Sequence, residues 1–395
     1  MTYRIAVSAG EVSGDQHLAE VVLALRAIAP GCEVRGMGGA KAKDAGVDLV
    51  IDAFKHGAAM GFLELIGSLK SIRYSFSTMK TFLREWTPQV LIIVDYPDFN
   101  LRLAAFAKEL GVKVLYYIPP KVWAWRSGRV PKIKRVTDRI AAIFPFEPSF
   151  YRSHGVTHVH YVGNPVSDAA QRISSELPSE PLGGEARDVV ILAGSRRSEV
   201  TRILIPLLKT FEILLKRHPQ LTATVVAAAN MKSDALKATI AGHISEQTLS
   251  RVTWSSENAL SVMQRGTIGF LKSGTCNLEA AMVGLPFVCV YSGTRLAKWI
   301  VDNFVAIKEY SPVNIIRAGT VAEVIQVQLD PVYLAELGEK ILSDVESRSR
   351  MEMALAEVRG SLQGGADPEV SGRTVAERVA NLALSLVKSA TVSKA

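Results

Sequence analysis

Short, continuous apolar runs alternate with amphipathic stretches along most of the chain. Val90–Val94 and residues 112–118 are largely apolar, as expected for strands that are buried on both faces. Between them, Leu101 and Ala104 begin a helical pattern that Gly111 ends. Strands that alternate with helices in this way predict parallel sheets covered by helices, which is the doubly wound α/β class.

This alternation occurs twice along the chain. The first series starts with a strand at Arg4–Ala9. A stretch rich in Ser, Pro and Gly at 170–187 has the composition of a linker, and the series restarts with a strand at 189–192. Because 395 residues suffice for two full cores, we predict two Rossmann-like domains. The predicted boundaries are 1–168 for the first domain, 188–365 for the second, and 366–395 for a last helix with a polar tail.

The composition narrows the choice of partners. The chain has 46 basic and 38 acidic residues, a formal net charge of +8, which would attract nucleic acid, anionic lipid or phosphorylated substrates. The basic–aromatic interleaving of RNA-recognition motifs is absent, so no nucleic acid is expected. The three cysteines lack metal-ligand spacing and cannot form a disulfide framework, which fits a reducing cytosol. Neither a signal peptide nor a run of about 18 apolar residues is visible, so no membrane-spanning segment is predicted.

Acids, tryptophans and an arginine follow the ends of two neighbouring predicted strands. Asp95 and Asp98 come directly after the first strand, and Trp123, Trp125 and Arg126 follow the second. In a parallel sheet, the carboxyl ends of the strands line the ligand crevice. Asp98 either acts as a general base on an acceptor hydroxyl or caps the following helix, and Asp95 either holds a nearby base or caps. The tryptophans are predicted to brace their loop rather than contact substrate.

The turn after the first strand, at residues 10–17, is another candidate binding loop. Its glycines, among them Gly14, let backbone N–H groups approach a ligand, and the N-terminus of the next helix, predicted to start at Leu18, favours an anion. Ser13 and Asp15 add side-chain donors and acceptors. The glycine fingerprint of dinucleotide-binding proteins is absent, which disfavours a dehydrogenase.

An apolar segment at residues 57–69 contains a single acid, and Lys70, Arg73 and Lys80 follow it. Two interpretations are open. The segment either lies in a membrane interface or holds an acyl chain, as apolar stretches flanked by bases do. Alternatively, it is an ordinary helix packed on the sheet.

The second half contains two candidate anion sites, each between a predicted strand and a helix. Residues 194–196 combine backbone N–H groups, a hydroxyl and a guanidinium, which suits a diphosphate, although a surface N-cap is the alternative. Residues 273–275 open another helix, where Glu279 either accepts the hydroxyls of a ribose or is a favourable first-turn acid. Because both sites fall in this half, we predict that it binds a nucleotide.

Nine motifs, in one order across about residues 5–290, resemble a single family, the lipid-A-disaccharide synthases, which are inverting glycosyltransferases of the GT-B type. The motifs are AGEVSGD (9–15), GMGG (36–39), MGFLEL (60–65), VDYPDFNL (94–101), PPKVWAWRSGRV (119–130), PFEPSFY (145–151), GNPVSD (163–168), GSRRSEV (194–200) and SGTCNLE (273–279). Each motif is short, so the resemblance rests on their common order.

The resemblance implies two Rossmann-like domains that face a cleft, with the last helix crossing back to the first domain. The C-terminal domain would bind UDP-2,3-diacylglucosamine, and the N-terminal domain would bind 2,3-diacylglucosamine 1-phosphate (lipid X). A hydroxyl of this acceptor attacks the donor, which gives a β-1,6-linked disaccharide 1-phosphate and UDP. No cofactor and no metal are implied. The protein would be peripheral on the cytoplasmic face of the inner membrane, and a homodimer is compatible with the family.

Residue roles follow from the matching positions. Asp98 would be the base, Arg196 the diphosphate partner and Glu279 a nucleotide contact, so Asp98 and Arg196 are the predicted catalytic residues. The predicted substrate- and nucleotide-binding residues are Ser13, Gly14, Asp15, Gly194, Ser195, Arg196, Gly274, Thr275, Glu279 and Asn314.

The chain departs from the family pattern in two places that bear on function. Asn164 stands where members commonly have histidine, so an amide replaces an imidazole. Residues 311–326 are shortened and lack the family's Arg-Glu pair, which bears on the identity of the donor. Two alternatives therefore remain: a related GT-B enzyme with a different nucleotide sugar or acceptor, and a non-catalytic paralogue that binds lipid or nucleotide.

Overall fold

The computed structural model describes residues 3–54, 65–176, 188–194, 197–227, 237, 240–293, 308–364, 367 and 370–392. The chain divides into two compact units. The first unit comprises Met1–Pro165 together with Gly364–Ala395, and the second comprises Val166–Gln363. Each unit contains its own parallel sheet, which confirms the prediction of two Rossmann-like α/β folds.

In its described residues, the first unit contains a seven-stranded sheet. Its strands are β1 (Arg4–Ala9), β2 (Glu33–Gly38), β3 (Asp48–Asp52), β4 (Val90–Val94), β5 (Lys113–Tyr117), β6 (Arg139–Ala142) and β7 (Val159–Tyr161). Its helices, before the chain enters the second unit, are α1 (Val12–Ile28), α2 (Ala40–Asp44), α3 (Leu65–Trp86), α4 (Pro97–Glu109), α5 (Val130–Val136) and α6 (Glu147–Ser153), with a 3-10 turn at Ser127–Arg129. The strand order is β3-β2-β1-β4-β5-β6-β7, and neighbouring strands are parallel.

The described part of the second unit repeats this plan with six strands. Its strands are β8 (Asp188–Leu192), β9 (Thr222–Val226), β10 (Val252–Ser255), β11 (Ile268–Lys272), β12 (Phe287–Ser292) and β13 (Ala322–Gln326). The helices described here are α7 (Pro165–Glu176), α8 (Arg197–Arg217), α9 (Glu246–Leu249), α10 (Ala259–Arg265), α11 (Thr275–Val283), α12 (Pro312–Ile316), α13 (Pro331–Ser343) and α14 (Val345–Leu362). The strand order is β10-β9-β8-β11-β12-β13.

The last helix, α15 (Val375–Val392), returns to the first unit and packs against α1. Its Val379, Ala383 and Val387 are fully buried in the core that also contains Val90 and Ile92 of β4. Leu91 and Ile93 belong to a different core on the other face of the sheet. This alternation follows from the two-residue period of a strand, and it explains why β4 is apolar throughout.

The strand orders place a switch point in each sheet. The chain runs outward in one direction from β1 to β3 and then restarts beside β1 with β4, so the crossovers diverge between β1 and β4. The corresponding place in the second sheet lies between β8 and β11. Loops at the carboxyl ends of such strands diverge and leave a crevice, which is where ligands bind in open α/β sheets. Residues 10–15, 95–98, 194–196 and 273–275 follow these four strands in sequence.

Two boundaries differ from the sequence prediction. α1 begins at Val12 rather than at Leu18, so Ser13, Gly14 and Asp15 lie in the first turn of the helix rather than in a loop. The apolar pattern concealed this turn because Val12 is 77% exposed whereas the acid Asp15 is buried. The predicted linker at 170–187 is also too long, since α7 continues to Glu176.

No helix within the described ranges is both long enough and apolar enough to cross a membrane. The apolar segment at 57–69 falls mostly outside the described residues, and α3 is described from Leu65. The contact of the 57–69 segment with an acyl chain or membrane stays a prediction.

Candidate active site

The crevice at the switch point of the first sheet contains a strained turn. Asp95 and Tyr96, directly after β4, both have φ of +46°, and Ile118, after β5, has φ of +56°. Non-glycine residues rarely adopt positive φ, and each costs roughly 1–3 kcal/mol. The ring of Tyr96 also packs closely against Gly10, which follows β1. A Cβ on Gly10 would overlap this ring. Strain at adjacent strand ends is typical of functional sites.

Asn100 holds this turn in place. Its Nδ2 donates to the carbonyl oxygens of Val94 at 3.1 Å and Asp95 at 2.9 Å, and its Oδ1 accepts from Ser8 Oγ at 2.7 Å. Asn100 and Ser8 are both fully buried. The amide therefore ties the ends of β1 and β4 together and compensates for the left-handed backbone that follows.

The two acids after β4 occupy different environments. Asp95 is half-buried, and burial raises its pKa, although the backbone N–H of Tyr96 and the charges of Lys121 and His17 lower it in part. Burial and the charge of Asp95 together raise the pKa of Glu11. Asp98 faces solvent with its side chain 76% exposed, and Arg129 Nη2 donates to its Oδ1 at 2.7 Å.

Asp98 does not cap its own helix. The N-cap of α4 is Tyr96, which makes no side-chain capping bond, and Pro97 opens the helix. Asp98 is a first-turn residue whose carboxylate contacts Arg129 rather than the helix backbone. An exposed, first-turn carboxylate at the carboxyl end of a strand is accessible to the hydroxyl of a substrate.

Glu147, to which no role was given from the sequence, anchors the loop after β5. It is 1% exposed, and it accepts from Trp123 Nε1 and from the backbone N–H groups of Ile143 and Phe144, all at 3.0 Å. Burial raises the pKa of Glu147 to about 7. The bracing role predicted for Trp123 is thus confirmed.

Trp125, by contrast, is 52% exposed, and the guanidinium carbon of Arg126 lies 4.1 Å from its ring centroid. Arg126 has φ of +60°, so the loop from Ile118 to Arg126 is strained at both ends. Trp125 and Arg126 form an exposed cation–π pair next to Arg129 in the chain.

Ser13, Gly14 and Asp15, the predicted binding residues of α1, lie in different environments. Asp15 is buried: its Oδ1 accepts from Gly39 N at 2.6 Å and Ala42 N at 3.2 Å, and its Oδ2 accepts from Lys41 N at 3.0 Å. Asp15 therefore holds the N-terminus of α2. Ser13 is exposed and Gly14 is buried beside Val94, so both remain next to the crevice.

In the second unit, the described part of the switch point contains the loop that begins after β8 and the N-terminus of α11. Gly194, after β8, has φ of +117°, which glycine adopts without strain. Ser195 and Arg196 lie outside the described residues. Gly274 is the N-cap of α11 and Thr275 is its first residue, so the start of this helix can bind an anion through backbone N–H groups. Glu279 is half-buried further along α11, and burial raises its pKa.

Asn314 is engaged within the chain. Its Nδ2 donates to Val321 O at 2.9 Å and Glu323 Oε1 at 2.8 Å, and its Oδ1 accepts from Val321 N at 3.0 Å. Glu323 also accepts from the backbone N–H groups of Tyr310 and Ser311. Ser273 Oγ donates to Tyr310 O at 2.6 Å, so this network connects the altered 311–326 segment to the start of α11.

The lining of a cavity of about 590 Å³ in the second unit includes Val321 and Ala322 at the start of β13 and Leu337 and Ile341 of α13. These residues are at the amino end of the sheet, whereas Gly194 and Gly274 are at the carboxyl ends of their strands. The cavity is therefore separate from the candidate nucleotide residues.

Solved structures share the fold. A putative UDP-N-acetylglucosamine 2-epimerase from Listeria monocytogenes has a TM-score of 0.64 at 13% identity, covering 100% of this chain and 98% of that chain. Acinetobacter baumannii MurG has a TM-score of 0.58 at 12% identity, covering 97% of this chain and 99% of that chain. At these identities the likeness establishes the fold alone, which is the GT-B type.

Sequence comparison identifies the family as well as the fold. The family model described as lipid-A-disaccharide synthetase matches residues 5–366. The lipid-A-disaccharide synthase of Nitrosococcus oceani is 35% identical over 376 residues, which cover 94% of this chain and 95% of that protein. That of Trichlorobacter lovleyi is 36% identical over 375 residues, covering 93% and 96%. The chain belongs to the lipid-A-disaccharide synthetase family.

Proposed function

We propose that the chain is a glycosyltransferase that joins UDP-2,3-diacylglucosamine to 2,3-diacylglucosamine 1-phosphate, giving the β-1,6 lipid A disaccharide 1-phosphate and UDP. Family membership over almost the whole chain supports the reaction class. The observation that carries the assignment of the site is the position of the family motifs. Four of these motifs, at 9–15, 94–101, 194–200 and 273–279, follow the strands on both sides of each switch point, where open α/β sheets bind ligands.

The proposed reaction is a single displacement with inversion. The 6-hydroxyl of the acceptor attacks the anomeric carbon of the donor while Asp98 takes the hydroxyl proton. As the new C–O bond forms, the bond from that carbon to the diphosphate oxygen breaks, and its electron pair leaves with UDP. Asp98 suits the base because its carboxylate is exposed in the first turn of α4, whereas Asp95 is half-buried in a strained turn.

The second unit supplies the donor site in this proposal. Arg196 would bind the diphosphate through two parallel N–H donors, and the backbone N–H groups at Gly194, Ser195, Gly274 and Thr275 would stabilise the charge that develops on UDP. Glu279 would contact the nucleoside. Asn314 has both ends of its amide engaged, so we assign it the positioning of the loop beside α11 rather than a direct contact.

The acceptor side is assigned in the same way. Ser13 and Gly14 would contact the acceptor, because they open α1 at the carboxyl end of β1. Asp15 would act indirectly by fixing α2. We further infer peripheral attachment to the cytoplasmic face of the inner membrane, supported by the charge of +8 and by exposed Arg73, Tyr74 and Arg84 on α3. A homodimer remains an expectation.

The test is a product assay with the purified full chain. Given UDP-2,3-diacylglucosamine and lipid X, the wild type should release UDP and form one disaccharide, identified by its mass and by its β-1,6 linkage. A panel of other UDP-sugars addresses the altered 311–326 segment, and these donors should react much more slowly. Absence of the disaccharide, or turnover only with a non-acylated donor, would contradict the proposed function.

A further inference from the structure

The candidate base is paired with an arginine. Arg129 Nη2 donates to Asp98 Oδ1 at 2.7 Å, with side-chain exposures of 26% for Arg129 and 76% for Asp98. Within the described residues, the Arg129 guanidinium makes no other hydrogen bond or ion pair. One of the two oxygens that could accept the proton of an attacking hydroxyl is therefore engaged.

This pair joins the elements that follow two neighbouring strands. Asp98 lies in the first turn of α4 after β4, and Arg129 ends the 3-10 turn that follows the β5 loop. β4 and β5 are parallel neighbours, with Val90 paired to Lys113 and Val94 to Tyr117. A ligand in the crevice at their carboxyl ends can therefore meet both side chains.

The segment around Arg129 is strongly basic. Residues 118–137 contain six Lys and Arg residues and no Asp or Glu, so Arg129 pairs with an acid from outside its own segment. An exposed pair of this kind contributes little to stability. A phosphate accepts two parallel bonds from a guanidinium and carries more charge than a carboxylate. A phosphate that reaches the crevice would therefore draw Arg129 away from Asp98.

We propose that Arg129 recognises the phosphate of the acceptor and that its transfer from Asp98 to this phosphate frees the base. The inference rests on the proposed function, in which the acceptor carries a phosphate on C1 and its reacting hydroxyl on C6. Without a phosphate, Arg129 stays on Asp98 and the acceptor reacts slowly. With a phosphate, both carboxylate oxygens are available to the hydroxyl, so one side chain couples recognition to catalysis.

The test compares two acceptors that differ only in the phosphate, 2,3-diacylglucosamine 1-phosphate and 2,3-diacylglucosamine, with the same donor. The wild type should prefer the phosphorylated acceptor in kcat/KM. Arg129→Ala should lower kcat/KM for that acceptor roughly 10- to 100-fold, in line with the loss of a charge-assisted bond. It should raise the rate with the other acceptor, so that the preference collapses. Arg135→Ala, which removes an exposed cation of the same segment, should retain the preference.

A binding measurement separates a phosphate contact from a structural role. Asp98→Asn removes the competing carboxylate charge, so it should bind the phosphorylated acceptor as tightly as the wild type or more tightly. Weaker binding by Asp98→Asn, or an equal loss on both acceptors in Arg129→Ala, would overturn the inference while the proposed function stands. If the wild type forms no product with the phosphorylated acceptor and none with the unphosphorylated one, both the inference and the proposed function are overturned.

Discussion

At the scale of single residues, the site depends on side chains that never need to touch substrate. Asn100 and Glu147 are buried and each accepts or donates several hydrogen bonds to strand ends. Asn100 fixes the turn that presents Asp98, and Glu147 fixes Trp123 in the loop that leads to Arg129. Leaving such groups unpaired would cost about 1–3 kcal/mol each, so the loops keep one conformation despite their strained residues.

Glu147 predicts a dependence of stability on pH. Its pKa is raised by burial from the usual 4.5 to about 7, so the folded state holds the proton more tightly than the unfolded state. The stability that this proton contributes is complete below pH 4.5 and is lost as the pH rises through 7, by up to about 3 kcal/mol.

The measurement is the free energy of unfolding of the first unit in urea, between pH 5 and pH 8. Glu147→Gln cannot ionise, so its stability should fall less than that of the wild type over this range. The substitution also changes the hydrogen bonds by an amount that does not depend on pH, so the slope rather than the absolute value is decisive. Parallel curves of unfolding free energy against pH for the two proteins would contradict the raised pKa of Glu147.

At the scale of elements, α15 is the part of the first unit that comes from the far end of the chain. Val375, Val379, Ala383 and Val387 are buried together with the residues of β1 and β4 that face α1. Because a strand buried on both faces needs cover on both, this side of the sheet is incomplete without α15. The helix therefore supports the sheet that carries the crevice at the β1–β4 switch point.

A chain that ends at residue 363 should lose the fold of the first unit and retain that of the second. Hydrogen exchange followed by mass spectrometry should show that the amides of β4 lose protection while those of β11 keep it. Lys388→Glu changes an exposed residue of the same helix and should leave both patterns native. Full protection of β4 in the shortened chain would show that α15 is dispensable.

At the scale of the whole molecule, the central strands β1, β4 and β11 could be predicted because they are mostly apolar. The strand ends at both switch points could be predicted for the same reason. The start of α1 could not, because Asp15 is buried by its bonds to α2, which lies 24 to 27 residues further on. The roles of Asn100 and Glu147 were also missed, since the partner Ser8 lies 92 residues from Asn100, and Trp123 lies 24 residues from Glu147.

The most direct measurement is the turnover of Asp98→Asn with UDP-2,3-diacylglucosamine and lipid X, beside the wild type. Glu109→Gln, an exposed acid at the other end of α4, is the matched control and should turn over normally. Removing a general base lowers kcat by roughly 10²- to 10⁴-fold, and we expect a loss in this range for Asp98→Asn with its fold intact. Wild-type turnover by Asp98→Asn would contradict the assignment of this crevice as the place where the acceptor hydroxyl is activated.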